Sequence, residues 1–178
     1  MARGDKHINK YIKNEYYKII QDIISIDEFK KLKNITHHGI TRYDHSLRVS
    51  YYTYLITKNL HLDYKKATRA ALLHDFYFDE VEEFNEIFKL RRHPNFALEN
   101  AKKYFTLSNM EEDIIKSHMF PVTFTPPKYL ESWIVDIIDD FSAVYERSSV
   151  TKKELKAAMT FIFLIFVHYI KIKFTISF

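Results

Sequence analysis

Cysteine is absent from the 178 residues, which removes disulfides, thiolate zinc sites and thiol nucleophiles together. Any metal held by this chain must therefore be held by nitrogen and oxygen. Glycine and proline are scarce, at two and four residues. Turn-rich β architectures need more punctuation than that, so the composition points to long helices joined by short connections. The longest apolar run, residues 157–170, is fourteen residues with Thr160 and His168 inside it, short of the roughly twenty that a membrane span requires. Residues 1–7 carry charges with no apolar stretch behind them, so no signal peptide is expected. These absences lead to the expectation of a cytoplasmic, all-α protein.

What is present fits a single domain over residues 1–178. The chain is 47% hydrophobic and 28% charged, a folded rather than a disordered balance. A net charge of +4 is compatible with a phosphorylated partner, but a modest lysine excess is ordinarily solvated surface, and specific nucleic-acid binding is not expected. The core is expected over about 34–147, preceded by an amphipathic helix from about Ile8 to Ile26 and followed by the apolar run as a C-terminal helix. That last helix is a candidate surface for a membrane or for a second copy of the chain, as in a homodimer.

Local signals divide the core into helices. Asp27 is read as the cap of a short helix toward Asn34, and His37-His38-Gly39 as a loop. Thr41 suits the cap of a helix in which His45, Val49, Tyr52 and Ile56 recur at helical spacing. A further helix after Asp63 places Ala67, Ala70, Ala71 and His74 on one face. An acidic segment, 79–86, read as an exposed connection or a short helix, and a basic turn, 89–92, lead to a helix with Pro94 in its first turn and His93 at its mouth. Ser108 or Asn109 caps a helix carrying Ile114, Ile115 and His118, and a long helix from Tyr129 to Arg147 has the stripe Leu130, Ile134, Ile137, Ile138, Phe141 and Tyr145. Asp136, Asp139 and Asp140 interrupt that stripe, and wheel geometry does not say which of them faces inward.

The chemistry centres on Ala70-Ala71-Leu72-Leu73-His74-Asp75, an apolar helix closing in an imidazole and a carboxylate. Such groups are buried only when paired, hydrogen-bonded or bound to metal. One histidine on an apolar face is ordinarily a hydrogen-bonded core residue, but His45, His74, His93 and His118 fall on the inner faces of separate helices. With Asp75 and a later aspartate they supply enough neutral nitrogen and anionic oxygen for one or two divalent ions.

The order His, His-Asp, His, His, Asp resembles the HD-domain superfamily of metal-dependent phosphohydrolases, all-α helical bundles whose signature is the doublet, here His74-Asp75. The resemblance covers about residues 34–147. It implies His45, His74, Asp75, His93, His118 and Asp139 as metal ligands, with Asp75 the bridge between two ions of iron, manganese, cobalt, nickel or zinc. Asp139 is preferred because 135–143 looks like the family's apolar segment ending in Ala-Asp-Lys; Asp136 is the runner-up, otherwise a surface acid. The entry Arg42-Tyr43-Asp44-His45-Ser46 is similar to that of the dinuclear branch that hydrolyses diadenosine tetraphosphate symmetrically.

The implied activity is hydrolysis of a phosphate ester or anhydride of a nucleotide or small phosphorylated metabolite by metal-activated water, with Asp75 and Arg42 in the catalytic machinery. Arg42, Arg92, Lys116 and Arg91 are candidate substrate contacts, each with a solvated-surface alternative, and His38 and His37 are candidate substrate contacts or proton donors to the leaving group, with a polar loop cap as the alternative. Phe76-Tyr77-Phe78-Asp79-Glu80 follows the doublet where many relatives carry a lysine, and His118-Met119-Phe120-Pro121 stands where some have a second histidine or a threonine. These departures keep a non-catalytic nucleotide-binding module as the alternative.

Overall fold

The computed structural model describes residues 3–37, 40–78 and 86–147. The chain runs α1 (Arg3–Ser25), α2 (Asp27–Lys30), a 3-10 turn (Lys31–Asn34), β1 (Thr36–His37), β2 (Ile40–Thr41), α3 (Arg42–Asn59), α4 (Tyr64–Leu73), α5 (Glu86–Tyr104), α6 (Asn109–Ser117) and α7 (Leu130–Arg147). It is an all-α bundle whose only described strands form one short antiparallel hairpin, pairing Thr36 with Thr41 and His37 with Ile40. No described helix is long and apolar enough to cross a membrane. The apolar run 157–170, most of the acidic connection and His38 lie outside the described residues.

Several helix starts follow directly from side-chain chemistry. Thr41 accepts from the Asp44 amide and Asp63 from the Lys66 amide. Ser108 and Glu111 form a reciprocal capping box at the start of α6, each satisfying an amide that the first turn leaves without a partner. Asp27 is not a cap: Ile26 occupies that position, and the Asp27 carboxylate instead takes Lys30 Nζ at 2.6 Å.

Two further expectations are corrected. Pro94 lies inside α5, which begins at Glu86, so His93 projects from a continuous helix rather than from a helix mouth; the expected basic turn, 89–92, is helical too. On α3 the inner face is not His45–Val49–Tyr52–Ile56: Tyr52 is 40% exposed, while Ser46, Ser50, Thr53 and Thr57 are buried with His45 and Val49. The reason is the partner. α3 packs most extensively on α4, whose face is Ala67, Ala70 and Ala71, and small side chains on both helices let the backbones approach closely. Two of these hydroxyls are satisfied at short range, Ser50 Oγ donating to the Thr68 carbonyl at 2.9 Å and Thr57 Oγ1 to the Thr53 carbonyl at 2.6 Å, whereas Ser46 Oγ and Thr53 Oγ1 are buried without a hydrogen-bond partner.

The apolar core joins Ile20, Ile23, Phe29 and Leu32 from the N-terminal elements to Leu72, Leu73 and Phe76, with Ala97, Ala101, Ile114, Ile115, Val135 and Ile138 from α5, α6 and α7. On α7 the buried positions are Ser132, Ile134, Val135, Asp136, Ile138, Asp139 and Ser142. Ile137 and Phe141, expected inside, are half-buried, because the inner face is rotated toward the aspartates.

Candidate metal centre

Each histidine reaches the middle of the bundle for a local reason. His45 sits one turn into α3 behind the Thr41 cap. His74 terminates α4 and His118 terminates α6 as their C-cap residues. At those positions each ring turns back on its own helix: Nδ1 of His74 meets the Ala71 carbonyl at 2.7 Å and Nδ1 of His118 the Ile115 carbonyl at 2.7 Å. A carbonyl only accepts, so each Nδ1 carries the proton and each neutral ring presents its Nε2 lone pair to the interior.

Around those lone pairs the polar atoms form two groups. In one, His45 Nε2 lies 2.8 Å from Asp139 Oδ1 and His74 Nε2 lies 3.4 Å from the same oxygen. In the other, His93 Nε2 is 2.9 Å from His118 Nε2, and Asp75 Oδ1 is 3.4 Å from His93 and 3.8 Å from His118. Asp75 spans both, its Oδ2 lying 3.8 Å from His74 Nε2. His45, His74, Asp75, His93, His118 and Asp139 are at most 8% exposed.

These residues fit a metal. His45, His74 and Asp139 form one group able to hold a cation, and His74, Asp75 and His118 another. Donor atoms bound about 2.0–2.1 Å from one ion stand about 3–3.4 Å apart, close to the spacings observed. The chemical test is His74 Nε2, a buried nitrogen with no hydrogen-bond partner. With Nδ1 committed to Ala71, its lone pair points at carboxylate oxygen, an arrangement that only a proton or a cation makes favourable.

The electrostatics carry the same tension. Burial pushes His45 down, but its hydrogen bonds to Asp139 and Glu146 outweigh this and raise it to about 10. His74 is also raised, the charges of Asp139 and Asp75 overcoming complete burial. His93 and His118 are lowered, His118 to about 3, by burial and by the neighbouring imidazoles. Burial raises the Asp139 carboxyl, yet the His74 charge and the hydrogen bond from His45 hold it well below the usual range. Asp136, read as a surface acid if not a ligand, is neither exposed nor in either group: it is buried, Oδ1 has no hydrogen-bond partner, and burial, Asp140 and Asp139 push its carboxyl up to about 8. Asp140 is exposed.

Glu146 escaped the sequence reading. Its side chain is 0% exposed; Oε2 lies 2.9 Å from His45 Nδ1, and Oε1 accepts from Arg48 Nη1 at 2.5 Å. The usable signal was spacing, since Asp139, Ser142 and Glu146 fall at i, i+3 and i+7 on α7, while His45 and Arg48 fall at i and i+3 on α3.

The expected substrate contacts are distributed less compactly. Arg42 is buried, donating from Nη1 to the Tyr77 carbonyl and from Nη2 to the Tyr77 hydroxyl, both at 2.8 Å, with its guanidinium 3.8 Å from that ring's centre. The other side of this assembly bears on the site, because Tyr77 stacks on His93 with ring centres 4.9 Å apart. Arg92 is exposed, over the rings of Phe88 and Phe96. Arg91 and Lys116 are exposed, Lys116 between the buried Ile115 and Ser117.

A family model described as HD domain matches residues 42–144. No curated protein and no solved structure matches the chain.

Proposed function

The chain belongs to the HD-domain family, within a superfamily of metal-dependent phosphohydrolases, and on that premise we propose that it hydrolyses a phosphate ester or anhydride of a nucleotide or small phosphorylated metabolite. The observation that carries this reading is the convergence of four imidazoles and two carboxylates with the unpartnered His74 Nε2 among them. In this reading His45, His74 and Asp139 would hold one divalent ion, and Asp75, His93 and His118 a second. When bound, the ions supply Lewis acidity toward phosphate oxygen and lower the pKa of an attacking water.

The protein's own groups prepare that chemistry. Glu146, the Ala71 carbonyl and the Ile115 carbonyl hold protons on Nδ1 of His45, His74 and His118, which keeps each Nε2 available as a donor. Tyr77 fixes the plane of His93 and is itself fixed by Arg42. The Arg42 charge is thereby held beside the site, where it offsets phosphate charge. Burial of the cluster keeps bulk water from competing with the positioned nucleophile.

The test is elemental analysis of the purified chain and of His74→Ala and Asp75→Ala, followed by assay of nucleotides, dinucleoside polyphosphates and an aryl phosphate with manganese or ferrous iron. The wild type is expected to carry divalent metal and to turn over a phosphate substrate. Asp75→Ala should lose at least about 10³-fold in rate, since a metal centre supplies several kcal/mol and each 1.36 kcal/mol is tenfold. A folded wild type that takes up no metal overturns the reading. Tight nucleotide binding without turnover on any substrate would instead favour the non-catalytic nucleotide-binding module.

A further inference from the structure

A cavity of about 310 Å³ lies beside the C-terminal half of α5, lined by Phe78, Phe96, Tyr104, Glu28, Glu99, Asn100 and Lys103. We propose that it receives the base of a nucleotide substrate, one bearing an exocyclic amino group. This rests on the phosphohydrolase reading above and narrows its substrate class.

Position is the first argument. Phe78 follows Asp75 by three residues, and Phe96 follows His93 by one helical turn. Asn100 lies seven residues beyond His93 on the same helix, about 10 Å along the axis at 1.5 Å per residue. That is the reach of a nucleotide whose phosphate lies at the histidines. Arg92, next to His93 in the chain, holds its guanidinium 5.8 Å from the centre of the Phe96 ring, where it would meet a phosphate or sugar oxygen.

Chemistry is the second. Three of the lining side chains are aromatic, and stacking on such faces serves any base. The polar groups select among bases. Asn100 is fixed, its Nδ2 donating to the Phe76 carbonyl at 3.1 Å and its Oδ1 accepting from Lys103 Nζ at 2.8 Å. Lys103 retains donors for a ring nitrogen or carbonyl. Glu99 accepts from an amino group, as does Glu28 through the oxygen that Lys31 does not occupy. The volume is at the lower end for a small-molecule site, which suits one heteroaromatic ring system. The charge order, Arg92 toward the histidines and two glutamates at the cavity, orients a nucleotide phosphate-first and disfavours an anionic group in the cavity.

The experiment combines binding with turnover. Adenosine and uridine, which carry no phosphate, are tested by equilibrium dialysis against the wild type, Phe96→Ala and Glu99→Gln, with thermal melts to establish folding. Adenosine should bind more tightly than uridine, and Phe96→Ala should weaken it about tenfold or more. Glu99→Gln, at an exposed position, keeps the proposal testable if Phe96→Ala does not fold, and should reduce the preference for adenosine. In turnover, both variants should raise KM for an adenine nucleotide and leave p-nitrophenyl phosphate hydrolysis unchanged. Adenosine binding that both variants leave intact, no adenosine binding, or preferred binding of phosphocholine overturns the cavity assignment even if phosphatase activity is present. Adenosine binding lost in the variants with no turnover of any phosphate overturns the phosphohydrolase reading and leaves the base site standing.

Discussion

Replacing Glu146 by glutamine separates a role in tuning the metal site from a role in packing. The carboxylate offers one oxygen to His45 and the other to Arg48, at 2.9 and 2.5 Å. Glutamine has nearly the same shape but only one oxygen. If that oxygen stays with Arg48, the amide nitrogen faces His45 Nδ1, and two donors oppose each other. The ring escapes by carrying its proton on Nε2, toward Asp139 Oδ1 at 2.8 Å, the nitrogen needed as a metal donor. Loss of such an outer partner costs about 10–100-fold in metal affinity, or about 1.4–2.8 kcal/mol at 1.4 kcal/mol per tenfold. The lost charge-assisted bond costs the fold about 1–3 kcal/mol.

The assay is competition for manganese or zinc against a chromophoric chelator, with a thermal melt on the same samples. Arg48→Ala is the control, because it leaves the Glu146–His45 contact in place; it should destabilise the chain while changing metal affinity less than Glu146→Gln does. A folded Glu146→Gln that binds metal as the wild type does would refute the tautomer argument.

Three other perturbations have directions fixed by the structure. Removing metal with a chelator should lower the melting temperature, since a ligand bound only to the folded state at a hundredfold its Kd contributes about 2.7 kcal/mol; an unchanged melting curve for metal-loaded and stripped protein would count against the site. Asp22→Asn removes a two-pronged contact with Arg69, at 2.6 and 2.7 Å, worth at most about 1 kcal/mol because the Asp22 side chain is half exposed. The Arg69 hydrogen bond holds the Asp22 carboxyl below 3.8, so its stabilisation is present above that pH and is lost as pH falls through the lower folded value; urea titrations should find the variant and wild type converging in strong acid. Phe29→Ala should cost about 3–5 kcal/mol by opening a cavity at a fully buried ring that packs against Tyr43 and Phe76 at 5.6 and 5.5 Å, measured as a shift in denaturation midpoint.

Legibility in the sequence followed the range of the interaction. Caps act over three residues, so Thr41, Asp63 and Ser108 could be read from the chain and sit at helix starts. Recurrence of apolar residues at helical spacing located the long helices, and the histidines chosen on their inner faces lie in one cluster. Pro94 misled because a proline's local preference is for a first turn, whereas its ring, at a buried position, has been accommodated within a helix that starts eight residues earlier. Tyr52 misled because hydrophobicity was weighed without knowing that the facing helix is a row of alanines, against which serine and threonine fit and tyrosine does not.

Glu146 shows why the remainder of the site was harder to see. His45 and Glu146 are 101 residues apart, and a glutamate near the end of a helix has every local reason to be solvated. Its burial is intelligible only once α7 lies against α3 and brings Asp139 and Glu146 to the two nitrogens of one ring. The small inner faces of α3 and α4 contribute to the same result, since bulkier side chains at Ser46, Ser50, Ala70 or Ala71 would hold the helices apart and withdraw His45 from His74, whose ring centres are 5.3 Å apart. The polar face of α3 is therefore part of the candidate metal centre's architecture: the features least like an apolar core are those that let the imidazoles meet.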